Sequence, residues 1–136
     1  MKFNIDNSSY CVVENHTNVS RKENQKTFTV KNPEKKDIIV CKVDDGLIKS
    51  SDNIKCDFLF VLDKISRNRY ILVEFKGTNY VHAIRQIINT AEILGFSSLP
   101  KETVRESYIV GSSCPKISST FQNEFFRQRK RFSKCG

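Results

Sequence analysis

At 136 residues the chain has room for one domain with its own hydrophobic core, and not for two. Lys and Arg number 23 against 15 Asp and Glu, a formal charge of +8, which favours a polyanionic partner, nucleic acid before membrane. No run approaches the ~18 apolar residues of a membrane span. The start MKFNIDNSSYCVV has no apolar stretch after its lysine, so a secretory signal is not expected.

The five cysteines, Cys11, Cys41, Cys56, Cys114 and Cys135, include no C-x-x-C pair. Their odd number argues against a closed disulfide framework and points to a reducing, cytoplasmic setting. His16 and His82 stand too far apart in the chain to form a local metal motif.

The first 36 residues are polar, with no clean period. A short strand is expected at 27–31 (TFTVK), stopped by Asn32-Pro33, and a better one at 37–43 (DIIVCKV), ended by the turn signal Asp44-Asp45-Gly46. The strongest strands are 56–62 (CDFLFVL) and 70–76 (YILVEFK). The polar link DKISRNR between them predicts an antiparallel hairpin, and apolar residues on both faces predict central strands covered on both sides. Apolar residues recur at Val81, Ile84, Ile87, Ile88, Ala91 and Leu94, the helical spacing, and Gly95 stands where a terminating glycine belongs. A strand at 107–110 follows, then a basic helix at 118–134. The expected fold is α/β or α+β: a single domain with a central mixed sheet of about four strands, flanked by helices, with its core at about 37–113. The helix joining the third and fourth strands implies a right-handed parallel crossover.

The chemistry lies in the charges of the apolar hairpin. Asp57 opens one central strand, and Glu74 and Lys76 share one face of the next. Pairing Leu62 with Tyr70 sets Asp57 opposite Phe75, on the wrong face; a one-residue shift or a bulge brings it round to Glu74. A carboxylate in a central strand is costly unless paired or bound to a metal. Two adjacent carboxylates repel, and Mg²⁺ or Mn²⁺ relieves that repulsion while keeping waters for chemistry. A nearby lysine would orient the attacking water or stabilise charge on phosphorus. An isolated E-x-K triplet on a strand is more often a solvated ion pair; here the strand has no solvated face to offer.

Asp57 and the triplet Glu74-Phe75-Lys76 within VEFKG, in a strand–strand–helix–strand order, resemble the PD-(D/E)XK superfamily of restriction-endonuclease-like nucleases. The resemblance spans roughly 37–113. The run VDDGLIKSSDNIKCDFLF, with ILVEFKG and HAIRQI, is similar to small uncharacterised bacterial proteins with such a core. The resemblance implies Mg²⁺-dependent phosphodiester cleavage, with Asp57, Glu74 and the Phe75 carbonyl as metal ligands and Lys76 as the catalytic lysine. It also implies a further acid from the N-terminal region, for which Glu14 and Glu23 stand as candidates. Asp45 beside Gly46 is another candidate acid, though a turn residue is the plainer reading. Gln86 is a candidate polar residue from the helix, with a solvated position the alternative. His82 reads as a surface residue.

Arg127, Arg129, Lys130, Arg131 and Lys134 form a basic run suited to gripping phosphates, or simply a solvated terminus. Three functions follow: a metal-dependent nuclease acting on DNA, in restriction, repair or mobile-element defence; a non-catalytic nucleic-acid-binding module; or an interaction subunit of a larger complex. DNA is preferred to RNA as the partner, and a homodimer would let so small a core address both strands.

Overall fold

The computed structural model describes residues 3–49, 55–75 and 79–111. The expected Lys76 and the basic helix at 118–134, with Arg127, Arg129, Lys130, Arg131 and Lys134, lie outside these residues.

The strands are β1 (Cys11–Glu14), β2 (Asn18–Glu23), β3 (Lys26–Lys31), β4 (Ile38–Lys42), β5 (Phe58–Leu62), β6 (Arg69–Phe75) and β7 (Val104–Val110), with one helix, α1 (Tyr80–Leu94), between the last two. Five of them form a mixed sheet in the order β1-β4-β5-β6-β7, while β2 and β3 make a separate hairpin. The protein is thus of the α+β kind. Adjacent strands are antiparallel except β6 and β7, which run parallel across the α1 crossover, as the element order predicts.

The sheet is central because its middle strands bury both faces. Odd residues of β5 and even residues of β6 (Leu59, Val61, Tyr70 and Leu72) pack with Ala83, Ile84, Ile87, Ala91 and Leu94 of α1. The alternate residues Phe60, Ile71, Val73 and Phe75 pack under the hairpin, with Val19, Val30 and Phe28. Phe28 is the hairpin's anchor, its ring 5.4 Å from that of Phe60 and 5.1 Å from that of Tyr108. Each such side chain, fully buried, contributes about 1.5–3 kcal/mol of transfer free energy.

Local chemistry sets the ends of α1. The Asn79 side chain accepts a hydrogen bond from His82 N at 3.0 Å, capping the first turn. Gly95 takes the left-handed conformation, φ 78°, and its N–H reaches back to the carbonyls of Ala91 and Glu92. Beyond it, Arg105 of β7 donates to the carbonyls of Phe96, Leu99, Pro100 and Thr103, binding the connection onto the sheet.

The structure departs from the sequence reading in three places. The polar N-terminal segment forms β1 and β2, so the sheet has five strands rather than about four, and its second face is covered by a hairpin instead of a helix. α1 is the one α-helix among the described residues. Cys11 and Cys41, opposite each other in the β1–β4 ladder with Cα atoms 4.1 Å apart, form a disulfide. An odd cysteine count hides this link, because only strand pairing brings the two together. Among the described residues no helix is long and apolar enough to cross a membrane.

Candidate active site

The decisive geometry is the register of β5 on β6. Leu62 pairs with Arg69 and Phe58 with Val73. This register is shifted by one residue from a Leu62–Tyr70 pairing, and Asp57, just beyond the last pair, lies with Phe58 against Val73, which brings it next to Glu74. The tight turn after β5 produces the shift. Asp63 and Arg67 adopt left-handed φ values of 56° and 49°, and the Asp63 carboxylate accepts from Ile65 N and Ser66 N at 3.1 and 3.3 Å. The ladder is bulged at Asp57: its N–H donates towards β6, to Val73 O at 3.0 Å, while its carbonyl turns the other way and accepts from Val43 N at 2.9 Å.

Three carboxylates gather at this end of the sheet. Asp57 Oδ2 accepts from Phe75 N at 2.7 Å, and the Asp57 carboxyl also hydrogen-bonds with those of Glu23 and Glu74. Glu74 is only 3% exposed. Burial pushes the Asp57 carboxyl up from an ordinary 3.8 to about 7. The Phe75 N–H opposes this, and the Glu23 carboxyl facing it adds to it. Acid–acid hydrogen bonds need a proton on one partner, and the raised carboxyl of Asp57 is placed to carry it below about pH 7.

α1 is bound to the segment leading into Asp57 by two side chains. Thr90, fully buried, accepts from Cys56 N at 2.8 Å and donates to Gln86 O at 2.7 Å. Gln86 Nε2 donates to Lys55 O at 3.1 Å, while its buried Oε1 has no hydrogen-bond partner among the described residues. The Gln86 side chain therefore reaches the segment leading into Asp57, not a fully solvated face. Lys55, 9% exposed, forms an ion pair with Asp44 at 3.5 Å. Burial raises the pKa of the Cys56 thiol, which keeps it protonated and unfit as a nucleophile.

Of the sequence candidates, Asp57, Glu74 and the Phe75 backbone come together, and Gln86 touches the segment that delivers Asp57. Glu14 does not join them: it is ion-paired with Arg21 across the β1–β2 connection. Asp45 is exposed in the turn after β4, with a left-handed φ of 56°, as a turn residue. Glu23 is the N-terminal acid that arrives, carried by the end of β2 rather than by a helix. Thr90 was not singled out from sequence. Its signal was a hydroxyl on the apolar stripe of a helix, where a buried partner is required.

The donor set is hard, anionic oxygen, which fits Mg²⁺ or Mn²⁺. Among the described residues no group of three or more His, Cys, Asp or Glu side chains is arranged to hold a metal ion. Mg²⁺ is commonly held by one or two carboxylates, with waters and substrate phosphate oxygens completing its shell, and the Asp57–Glu74 pair meets that smaller requirement. No family model, curated protein or solved structure matches this chain.

Proposed function

We propose that the protein is a metal-dependent nuclease of the PD-(D/E)XK type, hydrolysing phosphodiester bonds of DNA. The observation that carries this reading is the meeting of Asp57, half-buried at the start of β5, with the buried Glu74 of β6, their carboxyls hydrogen-bonded together. A purely structural role does not account for two acids placed side by side in a costly environment. Asp57, Glu74 and the Phe75 carbonyl would hold Mg²⁺ or Mn²⁺, which would supply Lewis-acid polarisation of the phosphate and an activated water. The Phe75 N–H fixes the Asp57 carboxylate. Lys76, next in the chain, would be the residue to orient the attacking water and offset charge on phosphorus.

The test is cleavage of labelled linear, nicked, branched and single-stranded DNA with Mg²⁺ or Mn²⁺, comparing wild type, Glu74→Ala and Lys76→Ala, with EDTA as blank. Cleavage lost in EDTA and in both variants supports the enzyme; cleavage that persists in both variants sinks it. A second reading, a non-catalytic nucleic-acid-binding module, draws on the lack of a three-residue metal group among the described residues. Salt-sensitive DNA binding with no cleavage of any substrate favours it.

A further inference from the structure

The β2–β3 hairpin turns at Asn24 and Gln25, both with left-handed φ, 51° and 64°. This two-residue turn matches the strand twist. It sets Glu23 directly opposite Lys26, so the two share a face. That face is the sheet-packing one, because Val19 and Val30 are opposite each other four pairs back along the same hairpin, an even number that keeps the face. Its charged residues are therefore Arg21, Glu23 and Lys26. Arg21 is taken by Glu14, and Glu23 meets Asp57. Lys26, half-buried, has no ion pair among the described residues.

A second cation stands on the other side of Asp57. Ile38 and Val40 of β4 face the hairpin, so alternation gives Lys42 the same face. Lys42 pairs with Phe58, the residue after Asp57. It is exposed, with no ion pair among the described residues. One cation is thus brought by the hairpin tip that carries Glu23, and the other by the strand next to β5. Each is one strand pairing away from the carboxylate cluster.

We infer that Lys26 and Lys42 bind the phosphates of a nucleic-acid strand that approaches the end of the sheet from the hairpin side, at Glu23 and Asp57, while Glu74, which follows Tyr70 and Leu72 on the α1 face, reaches Asp57 from the other side. Resting on the nuclease reading above, this assigns substrate binding to the folded core rather than to the basic run at 127–134. The chemistry is that of a phosphodiester backbone: two separated ammonium groups at the rim of an acidic cluster, each able to neutralise one phosphate. Without them the cluster would repel the polyanion it is to cut.

The experiment measures binding of fluorescein-labelled single- and double-stranded DNA by anisotropy, in EDTA, over a range of salt. It compares wild type, Lys26→Ala, Lys42→Ala, the double variant, and Lys64→Ala as a charge-matched control in the β5–β6 turn. Each rim variant is expected to weaken binding several-fold. Each should also flatten the dependence of log affinity on log salt by about 0.9 on duplex or about 0.7 on single strands. The double variant should lose about twice as much, Lys→Arg at either position should restore the slope, and Lys64→Ala should keep it. With metal added, the rim variants should raise KM more than they lower kcat. Rim variants whose slope matches that of Lys64→Ala, in a wild type that binds and cuts, overturn this inference and leave the nuclease standing. A wild type that neither binds nor cuts any nucleic acid overturns both.

Discussion

Asp57 meets Glu74 at the end of the β5–β6 ladder, its carboxylate held at 2.7 Å by the N–H of Phe75, the residue after Glu74. One strand thus supplies both the second acid and the clamp on the first. Asp57→Asn and Glu74→Gln keep the shape and remove the charge. Each is expected to lower kcat by about 10²-fold or more, with the unfolding midpoint maintained or raised, since neutralising one member relieves a buried repulsion. Single-turnover cleavage and thermal unfolding on the same samples check both halves.

The raised Asp57 carboxyl makes stability depend on pH in a definite direction. Its folded value of about 7 lies above the ordinary 3.8, so the folded state binds the extra proton. The stabilisation from this group is fully present below about 4 and is lost as pH rises through about 7. Melting curves in EDTA from pH 4 to 8, wild type minus Asp57→Asn, should show that loss. Millimolar Mg²⁺ should restore more stability at pH 8 than at pH 5, because the cation competes with the proton for the same oxygens. An equal effect of Mg²⁺ at both pH values counts against a metal at Asp57.

Thr90 connects α1 to the strand that carries Asp57. Thr90→Val keeps the volume and removes the hydroxyl, leaving Cys56 N buried without its acceptor. The expected cost is about 1–3 kcal/mol in urea unfolding. Thr90→Ser, which keeps the oxygen, should cost less. The valine variant should also cut more slowly than its residual stability explains, since the Cys56–Asp57 segment loses its anchor.

Gly46 closes the turn after β4 against its own strand. A Cβ at this position lies 2.2 Å from the backbone oxygen of Lys42, an atom that cannot swing aside. Gly46→Ala is therefore expected to destabilise the fold by about 1–3 kcal/mol, read as a lowered urea midpoint. An unchanged midpoint would mean that the turn can open without consequence.

The Cys11–Cys41 link ties the edge strand to the sheet. Reduction of the purified protein, or Cys11→Ser, should cost about 3 kcal/mol of stability. Peptide mapping without reductant should recover the two cysteines in one linked fragment.

The legible parts of this chain were those whose signal is local. β5, β6 and α1 announce themselves by apolar runs, helical spacing and the caps Asn79 and Gly95, and the parallel return to β7 follows from their order. The strand at 27–31 was visible because Phe28 and Val30 alternate with polar residues. β1 and β2 were not, because Val19 is the one fully buried residue of β2 and both strands depend on partners far along the chain. The same distinction holds at the site. Asp57 and Glu74 were found from their burial pattern and their place in adjacent strands. The choice of Glu23 over Glu14 was open, since nothing local to either residue says which one the hairpin carries to Asp57. The disulfide escaped for the same reason.

The hairpin divides its labour along its length. At its root, Val19, Val30 and Phe28 are fastened into the core under the sheet. At its tip, Glu23 reaches Asp57 and Lys26 stands opposite Glu23, while Asn24 and Gln25 between them are exposed. A change at the root has to be accommodated by the whole molecule, whereas the tip can be rewritten almost independently of the fold. It is the place where a lineage, or an engineer, could vary the chemistry around Asp57 while leaving the central strands untouched.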